Sequence, residues 1–160
     1  MSTRNTSQQA TGQPPHNAHP YEGADCHGGS DSSKTLVAGS RRIALAGAPN
    51  AGKTSIYNAL TGLHAKTGNY PGVTVTRSLG TCKIGDTTLT IEDLPGAYSL
   101  DPISPDEQVV RDVLTDASQS ISVPDALVVV VDATTLRRGL NFVAEALALE
   151  LPTCLVVTMT

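Results

Sequence analysis

The pattern of polar and apolar positions changes near Leu36. Residues 1–33 are dominated by Ser, Thr, Asn, Gln, Gly, Pro and His, and Tyr21 is their only large ring. Ordering such a stretch costs about 1–2 kcal/mol per residue in backbone entropy. Each of its few apolar side chains would return only about 1.5–3 kcal/mol on burial. The entropy lost outweighs that return, so residues 1–35 are expected to form a disordered polar tail ahead of a folded domain over 36–160.

Within that domain the apolar positions alternate between two periods. Arg41 to Ala46 reads as a short strand, and a helix follows from about Lys53 to Leu60. The segment Gly62 to Gly72 holds Gly, Asn and Pro and reads as a long loop. Two strands are expected near Ser78 to Ile84 and Thr87 to Glu92, joined at Gly85-Asp86, a pair suited to a tight hairpin turn. Val109, Val110, Val113 and Leu114 recur at helical spacing within Pro105 to Leu114. Ala126 to Val131 is a continuous apolar run rich in β-branched residues, as expected of a strand buried on both faces of a parallel sheet. Leu136 to Leu149 predicts a helix with Leu136, Leu140, Val143, Ala144 and Leu147 on its apolar side, and a last strand is expected over Thr153 to Thr158. This alternation predicts a three-layer α/β fold with a mostly parallel sheet. The chain stops in or just after a strand whose edge would ordinarily be covered, so it is expected to be a piece of a longer protein.

Bulk properties narrow the picture only slightly. A chain of 160 residues suffices for one domain with one core. Its net charge of −4 gives no reason to expect a nucleic-acid partner, and the oligomeric state stays open. Cys26, Cys82 and Cys154 are far apart and odd in number, which argues against a disulfide framework or a zinc ribbon. Cys82 and Cys154 lie in apolar strand contexts and read as small buried hydrophobes in a reducing compartment. His16, His19, Cys26 and His27 match no compact metal site. The longest apolar run, Ala126 to Val131, falls far short of the roughly 18 residues of a membrane helix, and the N-terminus lacks a signal-peptide pattern.

The chemistry is concentrated in three segments. Gly47-Ala48-Pro49-Asn50-Ala51-Gly52-Lys53-Thr54 fits the phosphate-loop pattern G-x-x-x-x-G-K-[ST]. Its glycines let successive backbone N–H groups curl toward an anion, and the following helix adds the positive end of its dipole. Lys53 is expected to reach the β- and γ-phosphates of a nucleoside triphosphate and the Thr54 hydroxyl to bind magnesium. A strand before the loop and a helix after it supply the right context. Asp93-Leu94-Pro95-Gly96 follows the Thr87 to Glu92 strand, where an aspartate would hold the magnesium shell and the Gly96 N–H would meet the γ-phosphate. Thr74, in Pro71-Gly72-Val73-Thr74, is placed to complete the magnesium shell when a γ-phosphate orders its loop. Lys53, Thr74 and Gly96 are therefore the candidate catalytic positions.

Taken together these segments resemble the N-terminal G domain of the bacterial ferrous iron transport protein B (FeoB) family. The resemblance rests on Gly47 to Ser55, on Thr67-Gly68-Asn69-Tyr70-Pro71-Gly72-Val73-Thr74-Val75, and on Asp93-Leu94-Pro95-Gly96-Ala97-Tyr98-Ser99-Leu100. It continues through Ser104-Pro105-Asp106-Glu107 and Asp132 to Leu140, covering about Arg42 to Met159. The phosphate loop is common to many GTPases, whereas the second and third segments are far more specific.

The resemblance implies a P-loop GTPase (Ras-like) domain that binds GTP or GDP with Mg2+ on the cytoplasmic side of a transmembrane iron(II) channel and regulates uptake. It implies nucleotide contacts from Gly47, Ala48, Pro49, Asn50, Ala51, Gly52, Lys53, Thr54, Ser55, Gly72, Val73, Thr74, Asp93, Leu94, Pro95 and Gly96. It also implies magnesium at Thr54, Thr74 and Asp93, and potassium (K+) at Asn50. Ala97 stands where Ras-like enzymes place a water-orienting glutamine, so hydrolysis is expected to be slow and potassium-stimulated. The family's base-reading Asn-x-x-Asp is expected after the last strand, where this chain has Thr158-Met159-Thr160. Threonine lacks the bidentate pattern of an amide, so guanine selectivity rests on the resemblance. Arg137 and Arg138 read as a solvated helix face, Asp106 and Glu107 as a favourable acidic first turn, and Asp132 as a structural cap. The competing readings are a soluble GTPase of the Era or Der type in ribosome assembly, which would carry a basic RNA-binding module, and a P-loop ATPase.

Overall fold

The computed structural model describes residues 40–115 and 121–159, all within the unit Asp31–Thr160. The expected polar tail, the His16, His19, Cys26 and His27 group, and Thr160 lie outside the described residues. The elements are β1 (Arg41–Gly47), α1 (Lys53–Thr61), β2 (Ala65–Asn69), β3 (Thr76–Ile84), β4 (Thr87–Asp93), α2 (Pro105–Thr115), β5 (Ala126–Asp132), α3 (Leu136–Leu147) and β6 (Thr153–Thr158).

The strands form one sheet in the order β2-β3-β4-β1-β5-β6. β1 pairs in parallel with β4 and β5, and β5 in parallel with β6, while β2-β3 and β3-β4 are antiparallel. Alternation along β1 sorts the two cores, because successive strand side chains point to opposite faces. Ala44 and Ala46 face a cluster with Val109, Val110 and Val113 of α2 and Phe142, Val143 and Ala146 of α3. Ile43 and Leu45 face the other way, onto Ile56 and Tyr57 of α1 and Ile91 of β4. In β5, Leu127, Val129, Val130 and Val131 are all buried, as the continuous apolar run predicts. The hairpin turns at Gly85, φ 58°, with Ile84 opposite Thr87.

Three sequence expectations need correction. Residues 65–69, read as loop, form the edge strand β2 against β3. Every side chain of β2 is exposed, so backbone pairing defines the strand and no apolar alternation announces it. On α3 the buried face is Gly139, Phe142, Val143 and Ala146, while Leu136, Leu140 and Leu147 are exposed. Gly139 decides this: a Cβ there would collide with Val131 Cγ1, so the helix lies on β5 along its smallest residue. Cys154 is exposed on the outer strand β6 and Cys82 is only partly buried.

Candidate functional site

The carboxyl ends of β1 and β4 bring the predicted chemistry together. β1 ends at Gly47, paired with Val130 of β5. Its φ of 140° suits glycine, and a Cβ would run into the Val130 carbonyl oxygen. The loop then turns inward at Ala48 and Ala51, both buried against Val130, and outward at the exposed Asn50, φ 62°. Gly52, φ 89°, caps α1, whose first turn carries no side-chain cap and no acidic residue. That leaves the positive end of the helix dipole uncompensated, the arrangement that favours an anion.

Lys53 is buried, and its Nζ donates to the carbonyls of Gly47 at 3.1 Å and Ala48 at 2.9 Å. Burial lowers its pKa, an effect opposed by the nearby Asp93 carboxylate. Thr54 Oγ1 donates to Asp93 Oδ2 at 2.8 Å. The other carboxylate oxygen, Asp93 Oδ1, is buried without a hydrogen-bond partner. Burial raises the Asp93 pKa, countered by the Thr54 hydrogen bond and by Lys53. A hydroxyl beside a half-satisfied carboxylate is an oxygen donor set of the kind magnesium takes, so these residues fit that ion.

The segment after β4 lies directly on the phosphate loop. Leu94 N–H donates to Leu45 O, and Ala97 N–H to Gly47 O, each at 3.0 Å. Gly96 touches Pro49 so closely that a Cβ would sit 2.6 Å from Pro49 Cγ. Ala97 itself is fully buried in the core. An open groove of about 520 Å3 results, lined among others by Pro49, Asn50, Lys53, Thr54, Thr74, Asp93, Leu94, Pro95 and Gly96. A smaller one beside it, about 310 Å3, is lined by Asn50, Gly52, Lys53, Thr54, Ser55 and Met159. Gly72 and Val73 are exposed and line neither groove.

Several residues of this region carry roles that sequence reasoning does not single out. Thr158 Oγ1 donates to Ala51 O at 2.7 Å and approaches Val131 O at 3.3 Å. A lone threonine at a strand end gives no signal for such a brace. Glu107 does more than favour the dipole of α2. It is buried, and its carboxylate accepts the N–H groups of Tyr98 at 3.4 Å and Ile103 at 3.1 Å. The Ser-x-x-Glu box at Ser104 to Glu107 could have announced this, since Ser104 Oγ accepts Glu107 N–H. Glu145 of α3 accepts Ser99 Oγ and Leu100 N–H, fastening the same loop from the other side. Asp132 caps a short turn by accepting Thr134 N–H at 2.7 Å, as expected. Arg137 and Arg138 are exposed, with the Arg138 guanidinium 5.2 Å from the centre of the Tyr98 ring.

The family model described as ferrous iron transport protein B matches residues 41–160. The Fe(2+) transporter FeoB of Leptospira interrogans is 43% identical over 132 residues, which cover 82% of this chain and 18% of the relative. The Fe(2+) transport protein A/Fe(2+) transporter FeoB fusion protein of Porphyromonas gingivalis is 42% identical over 118 residues, 74% of this chain and 14% of the relative. The chain thus spans less than a fifth of the length of these curated relatives. The crystal structure of the G domain of the T. maritima FeoB iron transporter superposes with a TM-score of 0.67 at 38% identity, covering 73% of this chain and 70% of that one. A GDP-bound mutant of S. thermophilus NFeoB gives a TM-score of 0.65 at 43% identity, covering 74% and 44%. By sequence and by fold, this chain belongs to the ferrous iron transport protein B family and corresponds to its G domain.

Proposed function

We propose that residues 36–160 bind GTP and GDP with magnesium, hydrolyse GTP slowly, and regulate a membrane-embedded iron(II) channel from the cytoplasmic side of the bacterial inner membrane, with residues 1–35 as a polar tail. The observation that carries this reading is the convergence of Lys53, Thr54, Thr74, Asp93 and Gly96 on one groove at the carboxyl ends of β1 and β4. A homologous NFeoB holds GDP, which supports a guanine nucleotide as the ligand. The iron(II) channel is proposed from the family, whose members are far longer than this chain. Among the described residues no helix is long and apolar enough to cross a membrane.

In this reading the backbone N–H groups of Asn50 to Thr54, at an uncompensated helix-dipole end, cradle the α- and β-phosphates. Lys53 exchanges its bonds to the Gly47 and Ala48 carbonyls for the β- and γ-phosphates. Thr54 and Asp93 would hold magnesium, and Thr74 would join them once a γ-phosphate draws in its loop. Magnesium, when bound, supplies positive charge against the phosphate oxygens. The Gly96 N–H donates to the γ-phosphate. The buried methyl of Ala97 offers nothing to orient a water, which accounts for slow hydrolysis. Asn50, exposed at the rim of the groove, is the proposed potassium ligand.

The test is titration with fluorescent GDP and a fluorescent GTP analogue, with and without magnesium, alongside Lys53→Ala. Magnesium-dependent binding that the variant loses supports the reading; unchanged binding in Lys53→Ala would end it. Equal GTP turnover in potassium and sodium buffers would remove potassium from the mechanism without touching the rest.

A further inference from the structure

A second feature lies one residue from the magnesium aspartate, on the opposite face of β4. Glu92 is fully buried and its carboxylate accepts from three side chains. Tyr70 Oη donates to Oε1 at 2.9 Å, and Arg77 Nε donates to the same oxygen at 2.8 Å. Arg42 Nη1 reaches Oε2 at 3.1 Å, with Arg77 Nη2 at 3.4 Å. Tyr70 is almost wholly buried, and the Arg77 guanidinium lies 5.6 Å from the centre of its ring. Taking an ion cluster out of water is costly, and packed apolar side chains would serve stability as well or better. Its position gives it another use.

Tyr70 and Arg77 stand on either side of the loop that carries Thr74. The neck of that loop is closed by Tyr70 N–H to Val75 O at 2.9 Å, and Val73 N–H turns back to Tyr70 O at 3.3 Å. Thr74 lines the phosphate groove together with Asp93. Both shoulders of the loop are therefore fastened to one carboxylate, and the next residue along β4 holds Thr54. We propose that Glu92, through Tyr70 and Arg77, is a positioning residue that keeps the Thr74 loop against the groove and so favours nucleotides that carry a γ-phosphate. This inference rests on the nucleotide reading above and adds to it the element that sets triphosphate over diphosphate preference.

The experiment compares full-length wild-type protein with Tyr70→Phe and Glu92→Gln, measuring affinity for a fluorescent non-hydrolysable GTP analogue and for fluorescent GDP, with the thermal midpoint as a check on folding. Tyr70→Phe keeps the buried ring and deletes one hydrogen bond, so it keeps the inference testable even where Glu92→Gln fails to fold. The expected result is a loss of about three- to tenfold in affinity for the GTP analogue, with GDP affinity unchanged. Equal losses for both nucleotides would mark a merely structural tyrosine, and no loss for either would mark an idle one; each overturns the inference. Wild-type protein that binds neither nucleotide would instead overturn the underlying reading as well, an outcome visible before any variant is made.

Discussion

The hydroxyl of Thr158 donates to the carbonyl of Ala51 at 2.7 Å, tying the end of the outer strand β6 to the middle of the phosphate loop. These residues are 107 positions apart, and the bond holds the loop that leaves β1 against β6. Thr158→Val keeps the shape and removes the donor. The expected cost is about 1 kcal/mol in unfolding free energy, read from denaturant melts, together with a weaker affinity for GDP and GTP alike. A variant with wild-type affinity for both nucleotides would show that the brace does not reach the phosphates.

In the proposed mechanism Lys53 trades stability for binding. Burial lowers its pKa, so the folded state releases the proton more readily than the unfolded chain. The charged lysine therefore destabilises the nucleotide-free fold below its lowered pKa, and stability recovers as pH rises from that range toward the ordinary lysine value. Lys53→Met should bind no nucleotide yet melt no lower than wild type near neutral pH. Its advantage should shrink as pH climbs through the lowered lysine range. Thermal midpoints across an alkaline pH series, without nucleotide, check both the level and the slope.

Asp93 presents one oxygen to Thr54 and leaves the other buried and unpartnered. A cation in the groove would satisfy that oxygen and relieve the desolvation that raises the carboxyl pKa. Asp93→Asn should thus reduce magnesium affinity in the presence of nucleotide by about 10- to 100-fold, the range seen when groups supporting a metal are altered. Without nucleotide or magnesium the variant should be at least as stable as wild type, since it removes a half-buried charge with one unpartnered oxygen. Magnesium titrations monitored by fluorescent GDP measure the first effect and calorimetric melts the second.

The parts of this molecule that are legible in the sequence are those whose chemistry is local. Gly47 to Thr54 needs particular residues at consecutive positions, and the hairpin at Gly85 needs one residue with positive φ. The α/β order follows from runs such as Ala126 to Val131, whose burial on β5 is complete in its second half. The α3 face departs from its apolar periodicity because leucines at positions 136, 140 and 147 outweigh a glycine in any such pattern, while packing favours the close approach that Gly139 permits. β2 is made of Ala, Lys, Thr, Gly and Asn with no buried side chain, so only its partner strand reveals it. Glu92 reads as one more polar residue near a strand end. Its partners lie 15, 22 and 50 positions away, and no spacing rule connects them before the sheet is assembled.

Gly96 gives the sharpest test of how the segment after β4 communicates with the phosphate loop. Its α-carbon is packed on Pro49, where a methyl would lie 2.6 Å from Cγ and 2.8 Å from both Cα and N. Backbone and a proline ring cannot swing aside as a flexible side chain would, so Gly96→Ala must push the two segments apart at a cost of about 1–3 kcal/mol. The bond from Ala97 N–H to Gly47 O spans the same seam and should lengthen or break. In the proposed mechanism only a γ-phosphate meets the Gly96 N–H. The variant should therefore lose about 5- to 150-fold of the preference for a GTP analogue over GDP, the usual span of a coupling between two parts of a site. Its GDP affinity should stay within a few-fold of wild type. Competition binding with the two nucleotides decides the matter: an undiminished triphosphate preference would mean that Gly96 is small only to fit beside Pro49.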